Sequence, residues 1–111
     1  MNRILPLISC VLLLGLGACA LKNACVVATG GTNVSCVQYT GTAYIASTSQ
    51  IETACTTATG TLGTSCPTAS SYGSCKLLSG QATEVVYRYY TGDKSAQQTV
   101  CTSARGSWTS D

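Results

Sequence analysis

Eight cysteines and no histidine set the chemistry open to this chain of 111 residues. A cysteine sulfur accepts a lipid, closes a disulfide, holds a metal or exchanges with another thiol, and spacing separates these uses. Cys10 and Cys19 fall in or beside an apolar N-terminal stretch, whereas Cys25, Cys36, Cys55, Cys66, Cys75 and Cys101 are spread evenly beyond it. No C-x-x-C pair occurs, so neither a structural zinc site nor thioredoxin-like exchange has its usual ligand pattern. The dense, even set instead suits disulfide staples in a small exported domain, which implies an oxidising compartment. Acid and base chemistry is poorly supplied. The acids are Glu52, Glu84, Asp93 and Asp111, and the commonest general base, His, is absent. Glu52 is read as a helix-capping residue, Asp93 as a charge ahead of a helix, and Glu84 as a solvated strand position. Lys22, Lys76 and Lys94 leave a Ser/Lys dyad formally open, yet no G-x-S-x-G motif surrounds a serine. The expectation is a protein with no catalytic residues, no metal and no cofactor.

The N-terminus explains Cys19. Arg3 forms a short basic head, Ile4 to Leu16 is an apolar stretch interrupted by Pro6, Ser9 and Gly15, and small residues follow, which is the anatomy of an export signal. Its exit, Leu16-Gly17-Ala18-Cys19, resembles the lipobox of bacterial membrane lipoproteins. The resemblance implies cleavage between Ala18 and Cys19, a diacylglycerol on the Cys19 sulfur and an acylated new amino group. Two or three acyl chains hold a protein firmly to a bilayer where one does not, at about 0.8 kcal/mol per buried methylene. Ala18-Cys19-Ala20 also fits ordinary cleavage after Ala20, which would discard Cys19. Ala20, rather than Asp, after the cysteine implies by the same resemblance an outer-membrane address in the cell envelope. The expected organisation is a signal over 1–18, a lipidated tether over 19–24 and a Cys-rich domain over 25–111.

Composition fits that address. The formal net charge is +2, with no basic stripe that would mark a nucleic-acid partner. Beyond residue 22 the apolar runs are far shorter than the roughly 20 residues of a membrane span. With no Phe and one Trp, the core is thin for a domain of this size, and the staples must supplement it.

The mature sequence matches itself at an offset of 46, with Tyr44 on Tyr90, Ser49 on Ser95, Thr53 on Thr99, Cys55 on Cys101 and Gly60 on Gly106. Two repeat units follow, about 25–63 and 66–111, each with three cysteines. Ser49-x-x-Glu52 and Ser95-x-x-Gln98 read as capping boxes opening short helices. Their apolar faces are Ile51, Ala54, Cys55 and Ala58 in one and Ala96, Val100, Cys101 and Ala104 in the other. Gly60 and Gly106 are placed to end them in left-handed turns. Upstream, Cys75 to Tyr90 reads as a hairpin turning at Ser79-Gly80-Gln81, and Cys36 to Ile45 as a shorter one turning at Thr40-Gly41, with Gly30-Gly31 a separate turn. Tyr87 and Tyr89 read as a core stripe, with a ligand-stacking platform as the alternative, and Trp108 as packed back on the helix before it. The fold class is thus α+β: a small disulfide-stapled domain of two β-hairpin-plus-helix repeats. Six cysteines permit 15 pairings; if the halves are alike, Cys36 joins Cys55, Cys75 joins Cys101, and Cys25 joins Cys66 between halves. The Tyr, Cys and Gly-x-Trp pattern over 36–111 resembles that of small Cys-rich repeat lipoproteins of bacteria, a likeness that imports no activity. The function expected is a non-enzymatic envelope module, structural or protein-binding, attached to the membrane by lipid and meeting an envelope or surface protein. An inhibitor or immunity-type protein that plugs an external enzyme with a rigid loop is the alternative.

Overall fold

The computed structural model describes residues 22–111. Cys10, Ala18, Cys19 and the signal reading therefore lie outside the described residues. The domain is α+β, a single antiparallel sheet of six strands in the order β3-β1-β2-β5-β4-β6 with two helices and three disulfides. The strands are β1 (Ala24–Thr29), β2 (Thr32–Tyr39), β3 (Thr61–Gly63), β4 (Gly73–Leu77), β5 (Val85–Tyr89) and β6 (Ser107–Ser110). Helix α1 (Thr48–Thr57) lies between β2 and β3, and helix α2 (Lys94–Ser103) between β5 and β6. Among the described residues no helix is long and apolar enough to cross a membrane.

Gly30-Gly31 is the turn of the β1–β2 hairpin, with both residues at positive φ (58° and 82°), as a two-residue reversal between twisted strands requires. Thr40-Gly41 is not a hairpin turn. Both N–H groups donate to the Glu84 carbonyl, after which the chain enters a short 3-10 turn over Thr42–Tyr44 and then α1. β2 has its hairpin partner upstream in β1 instead, through Gly30-Gly31. The second hairpin is β4–β5, joined through the 78–84 loop that contains Gly80.

Register puts the helices on one face. Residues directly opposite in adjacent strands project to the same side, and Leu62, Cys25, Val37, Tyr87, Cys75 and Trp108 form one such row across all six strands. Cys25 is bonded to Cys55 of α1 and Cys75 to Cys101 of α2, so this row faces the helices. One residue along, the row Thr61, Val26, Cys36, Arg88, Ser74 and Thr109 faces the other way. There Cys36 is bonded to Cys66 in the 64–72 segment that crosses that face, with Ala24, Val26 and Tyr90 packed around the pair.

The pairing therefore corrects two of the three expected bonds. Cys75–Cys101 forms as expected, but Cys55 takes Cys25 and Cys66 takes Cys36. The cause is a one-residue register shift in the β1–β2 ladder between Val27 and Ala28. Without it Cys25 and Cys36 would stand opposite each other on one face; with it Cys25 opposes Val37, and Cys36 turns away from the helix.

The helix termini also differ from expectation. α1 begins at Ser47 with no side-chain cap, and the Ser49 hydroxyl meets Gln50 instead of a backbone N–H. α2 is capped by Asp93, which accepts from the Ser95 N–H at 2.9 Å, so the acid supplies the cap and Ser95 receives it. At the C-termini the left-handed residues are Thr59 and Arg105, at φ 56° and 62°. The following N–H groups of Gly60 and Gly106 reach back to Cys55 and Cys101, completing Schellman-type ends. The two glycines serve a different purpose. A Cβ at Gly60 would collide with both sulfurs of Cys25–Cys55, and one at Gly106 with both sulfurs of Cys75–Cys101. Each of these two disulfides passes directly over a bare Cα.

Among the described residues the nine buried apolar ones are Ala24, Ile51, Val85 and the six half-cystines. α1 buries Ile51 and Cys55, whereas α2 buries Cys101 alone and leaves Val100 59% exposed. The expected apolar faces shrink to those positions. Each disulfide should stabilise by about 3 kcal/mol in the chain-entropy model, but with unequal local effect. A Cys75→Ala/Cys101→Ala double variant is expected to release α2, seen as fast amide exchange over 94–103, while Cys25→Ala/Cys55→Ala leaves α1 held by Ile51 and partly protected. Gly60→Ala and Gly106→Ala, each forcing a methyl into a disulfide, should each lower stability by about 1–3 kcal/mol in thermal or denaturant melts.

Candidate binding surface

Helix α1 packs mainly over β3 and β1, and α2 over β4 and β6, so the central strands β2 and β5 form the floor between them. The row that faces the helices crosses this floor at Val37 and Tyr87, which oppose each other directly. Tyr39 lies one step along β2 on the same face, and Tyr89 one step along β5. Tyr87 is 36% exposed although it stands on a central strand. Tyr39 and Tyr89 are half-buried.

Beside this floor an open cleft of about 300 Å³ is lined by Tyr39, Tyr44, Ser47, Gln50, Ile51 and Ala54, with Ala43 at its edge. That volume is at the small end of ligand pockets. Tyr39 and Tyr44 meet edge to face, ring centroids 4.9 Å apart, and the Tyr44 hydroxyl donates to the Thr83 carbonyl. Burial raises the phenol pKa of Tyr39, and neighbouring Tyr87 and Tyr44 push it the same way. Tyr89 is raised chiefly by burial, then by Tyr87 and Tyr72. The Tyr39 and Tyr89 hydroxyls therefore stay protonated at neutral pH, and the surface offers aromatic rings and neutral hydrogen-bond donors.

A second aromatic group adjoins the floor. Tyr89, Tyr72 and Trp108 have centroids 6.1–6.4 Å apart, with Tyr89 within 17° of parallel to each of the other two. The Trp108 ring lies against Gly73, where a Cβ would strike it, so the bare glycine lets the indole settle on the sheet. Trp108 is thus positioned by Tyr72, Tyr89 and Gly73. The Tyr72 hydroxyl donates to the Thr91 carbonyl. The stripe expected at Tyr87 and Tyr89 divides between a half-exposed floor and a stacked cluster.

The six half-cystines of the expected set are all paired. Glu84 has a solvent-facing carboxylate, as expected, but it does not belong to a strand. It precedes β5, accepting from the Thr40 hydroxyl at 2.6 Å and the Gly80 N–H at 2.8 Å, and so ties the 78–84 loop to the 40–45 segment. These bonds hold its carboxyl below the ordinary range. Asp111 is paired with Arg88 at 2.6 Å and accepts from Ser71; the Ser71 hydrogen bond and then Arg88 hold it low. Among the described residues no three His, Cys, Asp or Glu side chains converge as a metal site. Of the aromatic residues here, Tyr39 and Tyr72 were not singled out from the sequence, and Tyr44 only as the counterpart of Tyr90 in the self-match. The alternation Ser35, Val37, Tyr39 in β2 was the signal for Tyr39; Tyr72 carried none, because it precedes β4 in an irregular segment.

No family model matches the chain, and neither a curated protein nor a solved structure matches it.

The depressed carboxylates give a pH dependence of definite sign. A group whose pKa is lower folded than unfolded contributes stability above its unfolded pKa and loses it as pH falls through the folded value. The melting temperature should therefore hold between neutral pH and about 5, then fall progressively below about 4. Glu84→Gln should flatten part of that fall, as measured by calorimetry across the acid range.

Proposed function

We propose that this chain is a lipid-anchored, non-enzymatic protein of the bacterial cell envelope, sited at the outer membrane, whose stapled domain presents an aromatic surface to a protein partner. The observation that carries the binding role is the half-exposed Tyr39, Val37, Tyr87 and Tyr89 floor at the centre of a sheet whose helices lie over its flanks. Aromatic side chains bury much area at little entropic cost and are enriched where proteins dock. The anchor rests on Leu16-Gly17-Ala18-Cys19 at the end of the apolar stretch, and six half-cystines closed in disulfides fit export to an oxidising compartment.

The domain is best read as two copies of one unit, though of larger extent than a hairpin and a helix. In each copy a hairpin is followed by a helix and a third strand. Four registers support this. Cys25 opposes Val37 and Leu62, while Cys75 opposes Tyr87 and Trp108. Val37 and Tyr87, equivalent by this mapping, oppose each other, as a local two-fold through the β2–β5 contact demands. Cys25–Cys55 then corresponds to Cys75–Cys101, while Cys36–Cys66 fastens the segment that links the units.

Intact mass of the native protein tests the anchor. The expected mature chain starts at Cys19 and carries a diacylglycerol and a further acyl group; a chain starting at Leu21 without lipid overturns the reading. Crosslinking of the native protein followed by mass spectrometry tests the surface, with Tyr87→Ala expected to reduce the captured envelope partner at least several-fold. A tight one-to-one complex with a secreted enzyme would instead identify an inhibitor.

A further inference from the structure

We infer that the end of the sheet at which β1 begins rests on the lipid surface, with Tyr44, Ile45 and Leu78 reaching its headgroup region. The inference rests on the lipid-anchor reading and adds an orientation to it. Asn23, immediately before β1, is fixed to the end of β2: its carbonyl accepts from the Tyr39 N–H at 2.9 Å, and its side-chain amide donates to the Tyr39 carbonyl at 2.8 Å. The chain then runs through 40–45 against the 78–84 loop, Ala43 N–H donating to the Ala82 carbonyl and the Tyr44 hydroxyl to the Thr83 carbonyl. Asn23, Tyr44 and Ile45 line one small hollow. The tether exit, Ile45 and the loop that opens with Leu78 are therefore at one end of the domain.

That end is unlike the other. The large hydrophobic residues exposed among the described residues are Ile45 at 59%, Leu78 at 49%, Tyr87 and Val100, and two of the four are here. The opposite end carries the exposed Thr29-Gly30-Gly31-Thr32 turn, with Thr91, Gly92 and Asp93. Charge differs less sharply between the ends: Lys22 and Lys76 are exposed at the tether end, where the Glu84 carboxylate accepts from Thr40 and Gly80, while at the other end Asp93 adjoins Lys94 and Asp111 is paired with Arg88. Lysines beside a bilayer are drawn to anionic headgroups, and a tyrosine suits the interface.

Chain length selects the occupant. Asn23 is four positions beyond Cys19, and a fully extended chain spans at most about 3.3–3.6 Å per residue. An acylated Cys19 seated at the bilayer surface thus holds Asn23 within about 14 Å of it. At that reach the apolar patch next to Asn23 faces lipid before it meets another protein.

The test uses the acylated protein in vesicles of phosphatidylethanolamine and phosphatidylglycerol containing lipids brominated on their acyl chains, which quench nearby indole fluorescence. Wild type, whose single Trp108 lies on the edge strand β6 opposite the middle of β4, is the reference. Ile45→Trp is expected to lose most of its added emission, while Thr32→Trp, at the far end, and wild type lose little. In the unsubstituted protein, amide exchange over 40–46 and 78–83 should slow on vesicles while 29–32 stays unchanged. Protein that floats with vesicles but shows equal quenching at 45 and 32, or no local slowing, overturns the orientation and leaves the anchor standing. A patch that slows only when an envelope protein is added assigns it to that partner and also overturns it. Protein with no lipid mass that fails to float overturns the anchor itself.

Discussion

Sulfur stands in this domain where leucine and phenylalanine ordinarily stand. Six of its nine buried apolar residues are half-cystines, and the chain has no Phe. A half-cystine buries less surface than a leucine, so the transfer free energy available from this interior is small. The bonds compensate by acting on the unfolded chain, whose loops they shorten before any contact forms. Much else follows from this substitution. The helices need to be amphipathic only where they carry a cysteine, which is why α2 can be exposed at Val100 and still remain in place. The glycines at 60 and 106 are fixed by the need of each bond to pass over a bare Cα.

The parts of the fold that were legible in the sequence were those written locally. Helices around 49–58 and 95–104, turns at Gly30-Gly31 and near Gly80, and strands around Val85 to Tyr89 all follow from spacing over a few residues, and they appear where expected. What failed was chiefly the relation between distant residues, along with two local readings, the capping boxes at Ser49 and Ser95 and the turn at Thr40-Gly41. The pairing of Cys36 depends on whether it shares a face with Cys25, and that depends on one residue of register between Val27 and Ala28. Nothing in Val-Val-Ala-Thr announces a bulge, and a shift of one exchanges the two faces of a strand. The short strands β3 and β6 were missed for a related reason. Thr-Leu-Gly and Ser-Trp-Thr-Ser are extended because they have neighbours to pair with, and three or four residues carry no period of their own.

The candidate surface shows the same division. Tyr87 and Tyr89 drew notice because they alternate within a β-prone run. That run could not say whether a helix would cover them, because the answer depends on where α1 and α2 are pinned, and the pins are Cys55 and Cys101. With each helix bonded to the first strand of its hairpin, it lies over the flank of the sheet and leaves the second strand open. Had Cys36 taken Cys55, the first helix would have been drawn to the face of β2 that carries Cys36, opposite the one that carries Val37 and Tyr39. Glu84 was misjudged for a different cause. A carboxylate in a polar stretch shows no partner in the sequence, and only the fold brings Thr40 and the Gly80 N–H to this exposed group.

Covalent closure also bears on how such a surface behaves. A core that buries little hydrocarbon exposes little on unfolding, so the heat-capacity change should be small for the chain length and the stability curve correspondingly flat. The denatured chain, still crosslinked, has few conformations to gain, which favours the folded state over a wide range of conditions. An aromatic floor on such a scaffold reaches a partner already ordered, since the strands on either side of it are bonded to the helices that flank it. Binding then pays little to order the backbone, and affinity rests on the rings themselves. The constraint that replaced a hydrophobic interior thereby left tyrosines that a larger core would have claimed available at the surface.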